Sequence, residues 1–214
     1  GLADFLDGFG GGTTRERTLA IMKDSPGMIY GAVFSWNGEK IPFAELNRMI
    51  SRIEYGDTTG NYVSHLAEIC GQSVFQWREA VMYYENRCLK HELEEGEDLF
   101  RGVDQAGVDA AADALRDIYK KLLESTQAMP ETKKQMQLLS VTLQGIGIWN
   151  AVGLLTESME KTGSFDMQKG LELAEKLECW FMAYKENWRA TSKEGDLHHI
   201  AEIVFWYADW MRRK

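Results

Sequence analysis

Residues 136–159 read MQLLSVTLQGIGIWNAVGLLTESM, and this very apolar stretch decides the fold class. Pro130 stands shortly before it, and proline is favoured in the first turn of a helix, so we predict a helix that runs through the stretch. Gly145, Gly147 and Gly153 would let a neighbouring helix approach closely. The stretch therefore predicts a helix that packs within a helical bundle.

Helical spacing of apolar residues also marks the segments on either side. Pro42 is favoured at the first position of a helix and opens one segment, which Gly56 closes. Asp57-Thr58-Thr59 offers an N-cap for a long helix whose apolar residues recur at threes and fours as far as Tyr84. Further helices are predicted at Asp104 to Glu124, at 166–190 with Ser164 as N-cap, and at 197–212 with Asp196 as N-cap.

The N-terminal portion is less regular. Gly8 to Gly12 form a glycine-rich loop, and Thr13 with Glu16 is typical of a capping box for a short helix that ends near Lys23. Residues 28–36, MIYGAVFSW, are rich in β-branched and aromatic types, which favours a strand. A single strand would have no partner, however, so an irregular buried segment or a helical turn fits these residues equally well.

These segments predict an all-α fold, an antiparallel helical bundle of about five to six helices with an irregular N-terminal segment. The chain has 214 residues, enough for one large domain or two small ones. We predict that residues 1–56 form the irregular segment with short helices, and that residues 57–214 form one compact helical domain. The sequence begins at Gly1 rather than methionine, so we expect either an excised domain of a longer protein or a residue left by an expression tag.

The charge balance is acidic, with 24 basic and 33 acidic residues and a net charge of −9. Nucleic-acid binding normally needs a clustered basic surface, so nucleic acid is not an expected partner. The compact basic cluster of Arg212, Arg213 and Lys214 stands at the end of a predicted helix. Cations in that position complement the negative pole of the helix.

The chain shows no signal for a membrane or a secretory route. The apolar stretch Leu143 to Leu155 is shorter than a membrane span of about 20 residues, and no signal peptide is visible. We therefore expect a cytoplasmic protein with no membrane partner. Cys70, Cys88 and Cys179 are isolated in sequence and are predicted to be buried free thiols.

The motifs of common catalytic and metal sites are missing from the sequence. The glycine-rich loop lacks the Lys-Ser/Thr ending of a P-loop, which favours a flexible linker over a phosphate cradle. His91-Glu92 is not part of an H-E-x-x-H pattern. The adjacent His198 and His199 would point about 100° apart on a helix and would not chelate a metal together. We predict no catalytic residue, cofactor or metal site in the chain.

Aromatic residues are dense in the last third of the chain. The favoured interpretation is that they fill the core and the helix seams, because aromatic side chains dominate core burial. The alternative is that some of them face a sugar or a neighbouring domain. The apolar segment at 28–36 adds three aromatic residues that a partner would cover. The candidate interface or sugar-rim residues are Tyr30, Phe34, Trp36, Trp149, Trp180, Tyr184 and Trp188.

Residues 180–188 read WFMAYKENW, and residues 197–212 read LHHIAEIVFWYADWMR. This pattern resembles the helical C-terminal region that follows the catalytic barrel in bacterial enzymes of the glycoside hydrolase family 20 type, the β-N-acetylhexosaminidases. The resemblance covers about 35 of the 214 residues. That family's barrel carries an adjacent Asp-Glu pair, and no such dipeptide occurs in this chain, so no catalytic residue is carried over.

Two functions remain open from the sequence. The resemblance implies a non-catalytic accessory domain of a hexosaminidase-like enzyme of carbohydrate metabolism, which would pack on an upstream catalytic domain of the same chain. The alternative is a stand-alone helical protein-interaction or scaffold domain that forms a homo-oligomer through an apolar face. Whether a longer parent protein is an enzyme is left undecided by these residues.

Overall fold

The computed structural model describes residues 42–93, 98–130, 132–191, 194–195 and 197–213. Within these ranges the chain is all-α and contains no strand, which confirms the predicted fold class. The predicted N-terminal helix and the segment at 28–36 lie outside the described residues. The helices are α1 (Phe43–Glu54), α2 (Tyr62–Cys70), α3 (Trp77–Tyr84), a π-helical turn (Glu85–Leu89), α4 (Gln105–Gln127), α5 (Thr132–Thr162), α6 (Met167–Thr191) and α7 (Leu197–Arg213).

The chain divides into two compact units, residues 1–64 with 127–130 and residues 65–126 with 131–214. In the first unit, Asp57 is fully buried and accepts hydrogen bonds from the backbone N–H groups of Thr59, Asn61 and Tyr62. Tyr62 is the first residue of α2, so the Asp57 carboxylate satisfies the N–H at the start of this helix from five residues before it, and not from the N-cap position beside the helix. The predicted division of the chain at residue 56 stays a prediction.

The second unit is organised around α6, which packs on both α5 and α7, while α7 also packs on α3. The short connection at residues 163–166 makes α5 and α6 antiparallel neighbours. Apolar stripes of these helices face one another and form a continuous core. Its largest fully buried apolar side chains include Phe75, Leu177, Ile203, Val204, Tyr207 and Met211.

The predicted long helix from residue 57 to Tyr84 is wrong, because the chain breaks at residues 71–76 into α2 and α3. The side chain of Asn150, on α5, takes over the hydrogen bonds that a continuous helix would have made. Its Oδ1 accepts from the backbone N–H of Val74 at 3.0 Å, and its Nδ2 donates to the backbone oxygen of Gln72 at 2.9 Å. The buried side chain of Asn150, which is distant in sequence, therefore satisfies backbone groups that the break leaves without helical partners.

Two of the three glycines in α5 allow another part of the chain to approach closely, a helix in one case and a loop in the other. A Cβ at Gly145 would lie 2.7 Å from Nε1 of Trp180 on α6, and one at Gly153 would overlap the side chain of Phe75. Gly147 differs, since no described atom lies within 4 Å of the position of its Cβ. The predicted approach of a helix is therefore found at Gly145, whereas Phe75 at Gly153 belongs to the 71–76 loop and no described helix approaches Gly147.

Two smaller sequence predictions also need correction. Asp166, not Ser164, caps α6, because its Oδ1 accepts from the backbone N–H of Lys169 at 3.0 Å and the helix begins one residue after it. The predicted cap Asp196 lies outside the described residues.

The cysteines are free but exposed rather than buried, because they lie on outward positions of α2, the π-helical turn and α6. They are Cys70, Cys88 and Cys179.

Candidate functional site

Many aromatic residues of the second unit form one connected cluster around Tyr207. The ring of Tyr207 lies 4.9 Å from that of Trp206 and 5.3 Å from that of Trp149, both edge-on. Its hydroxyl donates to the backbone oxygen of Ala80 at 2.9 Å, and burial raises the pKa of this hydroxyl well above its usual value. Tyr207 is thus a core residue that fastens α7 to α3.

The structure places the predicted interface aromatics in three different settings. Trp149 and Trp180 are buried in the core, and Trp180 donates from Nε1 to the backbone oxygen of Val141 at 2.8 Å. Tyr184 and Trp188 are half-buried and extend the row of rings along α6. An interface role for these two residues stays a prediction. Three candidates lie outside the described residues: Tyr30, Phe34 and Trp36.

Two neighbouring tyrosines at the end of α3 are held by carboxylates from two other helices. Tyr83 donates to Glu160 Oε1 on α5 at 2.9 Å, and Tyr84 donates to Glu202 Oε1 on α7 at 2.6 Å. Arg87, in the π-helical turn, pairs with Glu160 and lies 5.5 Å from the centre of the Tyr83 ring. Burial and then the hydrogen bond to Glu160 raise the pKa of Tyr83.

The π-helical turn is the kind of irregularity that often marks a functional site. Here, however, Tyr83, Tyr84 and Arg87 are paired with Glu160 and Glu202, and these pairs join α3 to α5 and α7. We therefore assign the arrangement to structure. Sequence reasoning missed it, because the paired residues are distant in the chain and carry no motif.

Histidines and acidic residues of the described ranges do not assemble into a metal site. No group of three or more His, Cys, Asp or Glu side chains there could hold a metal ion. His65 and His199 instead lie 3.1 and 3.9 Å from Glu68 and Glu202, one turn further along their own helices. Each histidine therefore has a carboxylate partner on its own helix.

An open groove runs between α5 and α6, and we call it the α5–α6 groove. Its volume is about 530 Å³. Lys176 is the charged residue among its described lining, and three of the lining residues have small side chains. A shallow apolar groove between two helices can accept the ridge of a third. The lining residues are Gln144, Gly147, Ile148, Ala151, Leu173, Lys176, Cys179 and Trp180.

Gly147 is the unusual residue of the α5–α6 groove. Glycine in a helix interior destabilises it by about 0.5–1 kcal/mol relative to alanine. At Gly145 and Gly153 the close packing of Trp180 and Phe75 accounts for the glycine, but no described residue packs against Gly147. The glycines of α5 therefore marked this groove in the sequence. They were interpreted, however, as contacts with another helix of the same chain.

The apolar character of α5 extends around its circumference rather than along one stripe. By length and composition this helix could cross a membrane, and 44% of its most apolar 18-residue window is buried within the chain. The shorter stretch Leu143 to Leu155 thus understates the apolar length of the helix. Several apolar residues outside this buried share are half-buried against the core, among them Ile148, Ala151 and Leu154.

Comparisons with known proteins concern a different part of the chain. A family model described as cobalamin-5-phosphate synthase matches residues 1–38, which lie outside the described residues. The match covers 38 of 214 residues and includes the glycine-rich loop. No curated protein and no solved structure matches the chain.

The predicted relationship to glycoside hydrolase family 20 is wrong. The family model that matches is that of cobalamin-5-phosphate synthase, and no curated relative or solved structure supports the resemblance at residues 180–212. The aromatic and apolar spacing at those residues has a simpler cause. It buries Trp180 against α5, Tyr207 against α3 and Phe181 against α7, as the packing of amphipathic helices requires.

Proposed function

We propose that this chain is a non-catalytic protein-interaction domain that self-associates through the α5–α6 groove. The observation that carries the proposal is the bare surface at Gly147, where a helix glycine has open space above it. Exposed apolar surface of this kind marks interaction sites in soluble proteins. A second copy of the chain packed at this position would account for the glycine and would cover the half-buried Ile148 and Ala151 beside it.

The geometry suits a two-fold contact. In such a contact the same surface of both copies meets, so α5 and α6 of one copy would lie against α5 and α6 of the other. The lining residues on α5 recur at positions i, i+3, i+4 and i+7, which form one continuous stripe. Gly147 lies within this stripe and would permit the closest approach of the two α5 helices.

The distribution of charge also favours self-association through the α5–α6 groove. Each copy carries a net charge of −9, so two copies repel one another over most of their surfaces. The α5–α6 groove is lined by no acidic residue among those described, and it contains Lys176. Two acidic chains therefore meet there with less repulsion than at a surface rich in carboxylates.

The test is sedimentation velocity over a wide range of protein concentration. We expect the wild-type chain to form a dimer and G147R to remain monomeric, because the new side chain would fill the groove. T142R is the matched control, since Thr142 is exposed on α5 but does not line the groove. A wild-type chain that is monomeric throughout, or equal association of G147R and T142R, would overturn the proposal.

A further inference from the structure

One helix of the first unit turns its polar side inward, and that helix is α1. Its two buried residues are Asn47 and Ser51. The Ser51 hydroxyl donates to the backbone oxygen of Asn47 at 2.8 Å and accepts from the backbone N–H of Val63 at 3.0 Å. The backbone oxygen of Ser51 accepts from the N–H of Asp57, also at 3.0 Å. These hydrogen bonds hold the polar side of α1 against the loop before α2 and the first turn of α2.

The apolar residues of α1 lie on a different side of the helix, and none of them is buried. At 3.6 residues per turn they fall on one arc of about 120°. The residues at the two ends of this side, Phe43 and Ile53, are 72% and 54% exposed, and the three between them are half-buried. A contiguous apolar surface that is left exposed marks an interaction site. We call this surface the apolar side of α1, and its residues are Phe43, Leu46, Met49, Ile50 and Ile53.

The size of the apolar side of α1 favours an occupant from the same chain. The helix has 12 residues and is about 18 Å long, and a helix is about 10 Å wide, so this side measures roughly 200 Å². A stable interface between separate proteins buries about 800 Å² on each partner. A separate partner would therefore bind weakly here. A segment attached to α1 is held nearby at high effective concentration and needs less contact.

The chain immediately before α1 supplies an apolar segment. Residues 28–36, MIYGAVFSW, carry no charge, and six residues separate them from Phe43. They lie outside the described residues. A spacer of six residues reaches about 20 Å, which is longer than α1 itself. The spacer contains Asn37-Gly38, a turn signal that favours a return of the chain along α1.

We propose that the apolar side of α1 is the docking surface for residues 28–36 of the same chain. Docking removes Phe43 and Ile53 from water together with Tyr30, Phe34 and Trp36, and the burial of apolar surface is favourable. It also gives these last three residues, which the sequence marks as interface candidates, a partner in the described part of the chain. The contact lies within the first unit, so it does not depend on self-association through the α5–α6 groove.

The first experiment is photo-cross-linking of the full chain. Phe43 is replaced by p-benzoylphenylalanine, and the same replacement at Ala44 is the control, because Ala44 is exposed on the opposite side of α1. We expect the cross-link from position 43 to fall within residues 28–36 and the cross-link from position 44 to fall outside them. A mixture of isotopically light and heavy chains separates cross-links within one chain from those between two copies. A cross-link from position 43 to a second copy, or none to residues 28–36, would overturn the proposal.

The second experiment follows hydrogen exchange of the backbone amides at residues 28–36 by mass spectrometry. F43D and A44D both add an acidic residue to the first turn of α1, where it suits the helix dipole, so they differ in the side that they alter. Exchange should be about tenfold faster or more in F43D, and A44D and F43L should match the wild-type chain. The amide of Val63, which Ser51 holds, shows whether α1 stays in place. Equal exchange of residues 28–36 in F43D and A44D would contradict docking on this side.

Discussion

Asn150 Oδ1 on α5 lies 3.0 Å from the backbone nitrogen of Val74, a residue 76 positions earlier in the chain. The same side chain holds the backbone oxygen of Gln72 through its Nδ2. One amide group thus fixes the loop between α2 and α3 from both its donor and its acceptor side.

Replacing Asn150 with leucine should destabilise the second unit. The change leaves the N–H of Val74 and the carbonyl of Gln72 without their buried partner, and each such loss costs about 1–3 kcal/mol. The measurement is the free energy of unfolding in urea. T142A, at an exposed position of α5, serves as control and should stay near the wild-type value. An N150L variant as stable as T142A would show that water replaces the side chain.

Replacing Gly145 and Gly147 with alanine should change the stability of the fold in opposite directions. G145A should destabilise the fold, because the added Cβ would lie 2.7 Å from the Trp180 indole. G147A should stabilise the monomer by about 0.5–1 kcal/mol, since the Cβ meets nothing and the helix gains propensity. Thermal unfolding at low protein concentration, where monomers prevail, compares the two. If both variants were destabilised, or both were stabilised, the result would contradict the packing described for α5.

Two substitutions of Tyr207 should separate the contribution of its ring to stability from the contribution of its hydroxyl. Y207A removes a fully buried ring from the centre of the aromatic cluster and should cost about 3–5 kcal/mol. Y207F keeps the ring and loses only the hydrogen bond to Ala80, which should cost about 1 kcal/mol. Urea unfolding measures both. If Y207F costs as much as Y207A, the hydroxyl rather than the ring holds α7 in place.

Asp57 should make the first unit sensitive to acid. Burial acts to raise the pKa of this carboxyl, but the hydrogen bonds from Thr59, Tyr62 and Asn61 outweigh it and hold the pKa below its usual value. A lowered pKa in the folded state stabilises the fold above the unfolded pKa of about 3.9. That stability is lost as pH falls through the lower, folded pKa.

The measurement is the pH dependence of unfolding, followed at tyrosines 55 and 62, whose rings lie 4.8 Å apart in the first unit. We expect wild-type stability in this unit to fall below about pH 4. D57N removes the titrating group and should flatten this acid limb of the profile. An unchanged acid limb in D57N would assign the sensitivity to other carboxylates.

Local patterns in the sequence were enough to predict the helices but not the contacts that break or join them. Apolar spacing predicted all-α structure, and Asp57 was recognised as a partner of a helix start, although the helix begins five residues after it. The break after α2 was missed, because it depends on Asn150 and the apolar spacing continues through it. The pairs of Tyr83 with Glu160 and of Tyr84 with Glu202 were missed for the same reason.

The site was predictable only in part. Glycines in an apolar helix signalled close packing, yet the sequence alone does not distinguish Gly147, which is bare, from Gly145, which supports Trp180. That distinction depends on which side of α5 meets α6. The family resemblance failed because amphipathic spacing at residues 180–212 reflects helix packing, and packing is common to many families.

The hydrogen bond from Tyr207 to Ala80 spans 127 residues of chain. During synthesis, α3 cannot gain this contact until residue 207 has left the ribosome, and the Tyr84–Glu202 pair imposes nearly the same delay. Contacts so distant in sequence are formed slowly, because a long loop must close first. The apolar side of α3 would remain exposed on the nascent chain meanwhile, which makes it a natural point of attachment for chaperones that bind unfinished proteins.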